Sequence, residues 1–116
     1  MITFYWYPKC STCKKAEKWL EAKGIDFEKR DIKTENPSAV ELKEWYQKSG
    51  LPLKRFFNTR GNLYKEMKLK DRLPEMSEEE QIELLSTDGM LVKRPILVDG
   101  DAVLVGFKEK EWEERF

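Results

Sequence analysis

Ile2-Thr3-Phe4-Tyr5-Trp6-Tyr7-Pro8-Lys9-Cys10-Ser11-Thr12-Cys13-Lys14-Lys15-Ala16 runs from an apolar, aromatic segment into a helical one across a pair of cysteines. Residues 2–7 are all β-branched or aromatic and are stopped by Pro8, which predicts a buried strand. From Ser11 to Lys23 the period changes. Cys13, Ala16 and Leu20, with Trp19 beside them, recur at helical spacing, and Gly24 stands where a C-terminal cap belongs. Residues 25–32 begin Ile25, Asp26, Phe27 and then turn to charge, and they read as a second strand. Strand, helix and strand in that order make a βαβ unit, whose two strands run parallel.

Working outward, Asn36-Pro37-Ser38 breaks the chain and starts a helix with Val40, Leu42, Trp45 and Tyr46 along one side. Residues 50–74 read as irregular, with Gly50, Pro52, Gly61 and Pro74 separating short turns. Ser77 and Glu80 form a capping box, and Ile82, Leu84 and Leu85 carry the helix that it opens towards Gly89. After Arg94-Pro95, the apolar runs 96–98 and 102–105 flank Asp99-Gly100, a hairpin signal. An amphipathic tail with Trp112 and Phe116 follows. The pattern predicts one α/β domain over residues 1–116. Its class is a thioredoxin-like βαβ…ββα fold, a four-stranded mixed sheet with a helical subdomain inserted at about residues 34–91.

Composition narrows the chemistry. The 116 residues carry 22 basic and 22 acidic side chains, 40% are hydrophobic, and mean hydropathy is -0.73. That is the balance of a folded globule. A net charge of zero argues against direct binding to nucleic acid or to an anionic membrane. The absence of histidine excludes Ser-His-Asp and Cys-His catalysis, as well as zinc sites built on imidazole. Two cysteines cannot complete a four-thiolate zinc site, so neither a metal nor a bound cofactor is expected. No apolar run approaches the ~20 residues that cross a bilayer, and residues 1–7 lack the basic lead and cleavage site of a signal peptide. A cytoplasmic setting is expected, where paired cysteines are more often reactive than structural.

Cys10-Ser11-Thr12-Cys13 falls at the junction of the first strand and first helix, and position matters more here than the bare motif. At a helix N-terminus, free backbone N–H groups and the dipole favour a thiolate at Cys10. Lys9, Lys14 and Lys15 add positive charge, and no acid occurs before Glu17. Cys13, one turn further on, lies on the apolar side of the helix. This assigns attack to Cys10 and resolution to Cys13, which together form a reversible disulfide. Arg94 and Pro95 are the second element: the backbone beside Pro95 is expected to hold an extended substrate, and Arg94 to reach an anion or the Cys10 thiolate. Arg60 is a further candidate for the cationic rim. Charge is unevenly spread between, with nine bases and three acids over residues 42–72, then six acids and no base over residues 75–88. Trp45, Tyr46, Phe56 and Phe57 read as core.

Residues 7–16, the Asn58-Thr59-Arg60 region and Lys93-Arg94-Pro95-Ile96-Leu97-Val98-Asp99 together resemble the family of glutaredoxin-type arsenate reductases and Spx-like regulators. The resemblance covers nearly the whole chain. It implies the thioredoxin-like fold, an attacking role for Cys10, and oxyanion contacts from Arg94 and, near a second such position, Arg60. Where arsenate reductases have a third arginine, this chain has Val105-Gly106-Phe107-Lys108, and those reductases usually lack a cysteine at position 13. The CxxC pair resembles that of the Spx-like regulators, which implies redox sensing and contact with the RNA polymerase α subunit. The expected function is a cytoplasmic thiol–disulfide redox protein, with electrons returned by thioredoxin, glutaredoxin or a small thiol. A redox-sensing regulator and a glutaredoxin-dependent arsenate reductase acting on a small oxyanion are the alternatives.

Overall fold

The computed structural model describes residues 2–116. Four short strands, β1 (Thr3–Trp6), β2 (Glu28–Asp31), β3 (Ile96–Asp99) and β4 (Ala102–Val105), form one sheet in the order β2-β1-β3-β4. β1 runs parallel to β2 and antiparallel to β3, and β3 pairs antiparallel with β4. This is the mixed thioredoxin-like sheet that the sequence predicts. Side chains alternate across it. Phe4 and Leu97, paired across β1 and β3, point to one face, and Tyr5 and Ile96, the next pair, to the other.

On the first face lie α1 (Ser11–Ala22) and α6 (Glu109–Arg115), which seal Phe4 and Leu97 beneath Ala16, Leu20 and Trp112. Trp112 is fully buried, and its Nε1 donates to the Gly106 carbonyl at 3.1 Å, so α6 also holds the chain that leaves β4. On the opposite face sit α2 (Ala39–Ser49), α3 (Asn62–Glu66), α4 (Leu69–Arg72) and α5 (Glu78–Thr87), packed around Trp45, Phe56, Phe57 and Leu85. The capping box at Ser77 and Glu80 is present, and a second one, Ser38 with Glu41, opens α2.

Several elements differ from the expectation. β2 consists of Glu-Lys-Arg-Asp and begins three residues later than predicted; its register with β1, and not its side chains, makes it a strand. Residues 50–74, expected to be irregular, contain α3, α4 and 3-10 turns at 53–56 and 73–75. Val40 is 76% exposed, because the buried stripe of α2 runs through Leu42 and Trp45. The hairpin loop is Gly100-Asp101, one residue beyond the predicted position, with Gly100 at φ +59. Gly89 touches the backbone after β2 so closely that a Cβ there would meet the Ile32 carbonyl.

Candidate functional site at the Cys10 end of the sheet

β1 ends at Trp6, and a turn closed by the Cys10 N–H on the Tyr7 carbonyl (3.0 Å) delivers Cys10 to the N-cap position of α1. An N-cap side chain accepts from the free N–H groups of the first turn. Here Cys10 Sγ takes that role, accepting from the Cys13 backbone N–H at 3.4 Å. The Cys13 thiol also donates to it, and this hydrogen bond is the largest influence holding the Cys10 thiol down to about 5. Partial burial opposes the shift, and the Arg94 charge beside Cys10 adds to it. Cys13, fully buried, is pushed far up, because it serves Cys10 as a donor and because burial disfavours its anion. Both cysteines are free. A stabilised thiolate next to a thiol that keeps its proton is the pair that thiol–disulfide exchange requires.

Arg94 comes from the segment that enters β3. The Arg94–Pro95 bond is cis, Pro95 is buried, and its carbonyl accepts from the Gly106 N–H at 2.8 Å. The Arg94 guanidinium stacks over the Tyr7 ring at 5.3 Å. Its Nε and Nη1 are buried and have no hydrogen-bond partner among the described residues. Buried N–H groups are rarely left so. Two unpaired donors on a cation beside a thiolate suit the approach of an anion or a polar oxygen.

The structure thus brings together Cys10, Cys13 and Arg94. Lys9 and Lys14 are exposed, as is Lys15, and the shift at Cys10 comes from Cys13 and Arg94, not from these lysines. Arg60 lies exposed in the turn before α3. The strand-like segment ahead of it is tied to the Arg94 loop by a bridge between Phe57 and Val92 and by the Lys93 N–H on the Phe56 carbonyl at 2.8 Å. Sequence reasoning missed Tyr7. Its ring carries Arg94, its carbonyl positions Cys10, and its backbone hydrogen-bonds Cys13. An aromatic residue directly before the CxxC loop was the available signal.

Comparisons with known proteins place the chain among relatives over nearly its whole length. The chain is 56% identical to the uncharacterized protein YusI of Bacillus subtilis strain 168, over 99% of this chain and 98% of that one. It is 34% identical to the regulatory protein MgsR of the same organism, covering 95% of this chain and 86% of MgsR. With the global transcriptional regulator Spx of Enterococcus faecalis the identity is 32%, over 96% and 83% of the two chains. The crystal structure of a possible arsenate reductase from Streptococcus mutans UA159 superposes with a TM-score of 0.92 at 43% identity, over 100% of this chain and 98% of that one. The ArsC family profile matches residues 5–115, and the protein belongs to the ArsC family.

Proposed function

We propose that this protein is a thiol–disulfide redox protein in which Cys10 attacks and Cys13 resolves. The single observation carrying the proposal is the Cys10 sulfur, capping α1 and accepting from Cys13 with its thiol held to about 5. At neutral pH such a group is almost wholly thiolate. Cys10 attacks the oxidised sulfur of a substrate, and the mixed disulfide removes the charge that had drawn the proton donor in. Cys13 then loses its proton, attacks Cys10 Sγ and expels the substrate thiolate, leaving a Cys10–Cys13 disulfide. Arg94 offers the N–H groups of its two unpartnered nitrogens, Nε and Nη1, to the anion that forms or leaves. Arg60, Lys9 and Lys14 are secondary candidates for that contact. Thioredoxin, glutaredoxin or a small thiol returns the electrons, with no bound cofactor, in a cytoplasmic setting. The test is thiol trapping. Under mild peroxide or a disulfide substrate, Cys13→Ser leaves a long-lived adduct on Cys10, whereas Cys10→Ser leaves none on Cys13. No adduct, or one on Cys13, contradicts the assignment.

A second reading is favoured by the similarity to MgsR and Spx, which spans most of their length. In that reading the disulfide is a signal, read by the α subunit of RNA polymerase, and there is no turnover. Redox-dependent capture of that polymerase protein in purified form supports it. Thioredoxin-coupled consumption of an oxidised substrate supports the enzyme. Arsenate reduction, suggested by the Streptococcus mutans structure and by the open donors of Arg94, predicts arsenate-dependent turnover that is lost in Arg94→Ala.

A further inference from the structure

Two shallow hollows flank the segment that carries Arg94. The first, about 370 Å³, has Pro52 and Phe57 as apolar lining and Lys54, Arg55 and Lys93 around them. The second, about 390 Å³, is formed by Trp19 and Phe107 with Lys15 and Lys18, and Glu109 is its one acid. Lys93 joins them. It lines the first hollow, and its Cε lies 3.2 Å from the position of a Cβ on Gly106, the residue before Phe107. Gly106 is in turn bonded to the Pro95 carbonyl. The two cation-edged hollows thus form a strip joined through Lys93, the residue before Arg94, whose charge lies beside Cys10.

The charges along this strip are unspent. Among the described residues, the ion pairs are Lys29–Glu17, Arg30–Glu41, Lys48 with Glu44 and Asp101, and Arg115–Asp99. None involves Lys15, Lys18, Lys54, Arg55 or Lys93. Glu17, the acid nearest the cysteines in sequence, is turned to Lys29 at 2.8 Å. Five cations thus line the two hollows, against the single carboxylate of Glu109.

We infer that this strip docks an extended acidic segment of a protein that presents a disulfide to Cys10, with apolar side chains of that segment seated in the two hollows. The inference rests on the redox reading above and names the class of partner. Carboxylates answer the unpaired lysines and speed encounter. Apolar side chains cover Pro52 at one end and Trp19 and Phe107 at the other. The Cys10 thiolate attacks one partner sulfur, the partner S–S bond breaks, and one partner thiolate leaves. Cys13 gives up its proton and attacks Cys10 Sγ, and the second partner thiolate leaves. The partner disulfide gains two electrons and one proton, ending as one thiol and one thiolate, and this chain is oxidised to the Cys10–Cys13 disulfide.

The test uses two synthetic peptides with the same apolar residues and the same disulfide, one flanked by glutamates and one by lysines, with bis(2-hydroxyethyl) disulfide as a neutral probe. Rates of mixed-disulfide formation are read on the Cys13→Ser chain at about 20 mM and about 500 mM salt. The inference predicts that the acidic peptide reacts at least about tenfold faster than the basic one at low salt, and that the ratio collapses towards one at high salt. Lys54→Glu and Lys18→Glu each lower the low-salt ratio several-fold. Lys43→Glu, on the exposed side of α2 and outside both hollows, does not. Equal rates for the two peptides, or a ratio that neither salt nor Lys54→Glu changes, overturn the docking inference while leaving the redox reading intact. Failure of the neutral probe to react with Cys10 overturns both.

Discussion

Arg30 and Arg94 are built alike and used differently. Each guanidinium lies over a tyrosine from the first strand or its exit, Arg30 over Tyr5 at 5.0 Å and Arg94 over Tyr7 at 5.3 Å. Arg30 is saturated. Its Nη1 donates to Glu41 at 2.8 Å and to the Tyr5 hydroxyl at 3.2 Å, its Nη2 to Glu41 at 3.2 Å, and its Nε to the Glu35 carbonyl at 3.0 Å. Arg94 has no carboxylate, and two of its nitrogens have no partner among the described residues. The first arginine joins β2 to α2 and holds the fold. The second has two nitrogens without a partner among the described residues, beside a thiolate, and these are the donors that the proposed anion contact would use. One stacked arginine is spent on the fold, and the other is open to a ligand.

The comparison can be broken at several points. Cys10→Ser has the largest expected effect, with reaction on a neutral small disulfide falling to the uncatalysed background; residual activity above it would mean that the thiolate is not the attacking group. Arg94→Ala is expected to slow that reaction about tenfold, the loss of one hydrogen bond to a charged group, while leaving the melting temperature nearly unchanged. Arg30→Ala should do the reverse. It removes about 1–3 kcal/mol of stability, seen as a lower urea midpoint, and leaves the Cys10 titration where it was. Equal stability losses in the two variants would erase the distinction.

A smaller effect sharpens the same contrast through pH. Burial alone would raise the Glu41 carboxyl, but Arg30 and the Ser38 N–H hold it below the ordinary carboxylate range. Its folded value is below its unfolded one, so the stabilisation is complete above the unfolded value and fades as pH falls through the folded one. The stability gap between the wild-type chain and Glu41→Gln should therefore narrow from pH 7 to pH 3. A gap that is constant with pH would show that the ion pair does not stabilise the fold. The smallest expected change is Val40→Lys on the exposed side of α2, within about 0.5 kcal/mol of the wild-type chain by chemical denaturation.

Much of the frame was legible because local chemistry and global fold agree. The aromatic β1, the helical spacing of Cys13, Ala16 and Leu20, the Ser77–Glu80 capping box and the hairpin runs all carry their own signals. β2 did not, because an edge strand of four charged residues is defined by the main chain of β1 and not by burial of its side chains. The short helices of 62–72 were hidden for a related reason: they are too brief to show a period and are fixed by packing around Tyr64 and Leu69. At the site, the cysteines could be read from their spacing, and Arg94 from its place before Pro95 at the entry to the hairpin. What activates Cys10 could be read in part: its seat at the helix N-terminus and the reach of Arg94 were expected, whereas the Cys13 thiol as the largest influence was not. The nearby lysines, also expected to contribute, extend into solvent, and the largest influence is the buried thiol of Cys13.

The most direct test of the central claim is the pH dependence of alkylation at Cys10 in the fully reduced chain, followed with iodoacetamide by mass analysis of the Cys10 peptide. A thiol held by Cys13 and Arg94 predicts a midpoint near about 5, with Cys13 unlabelled throughout. A midpoint at or above the free-thiol value of about 8.5, or labelling of Cys13 ahead of Cys10, would contradict it.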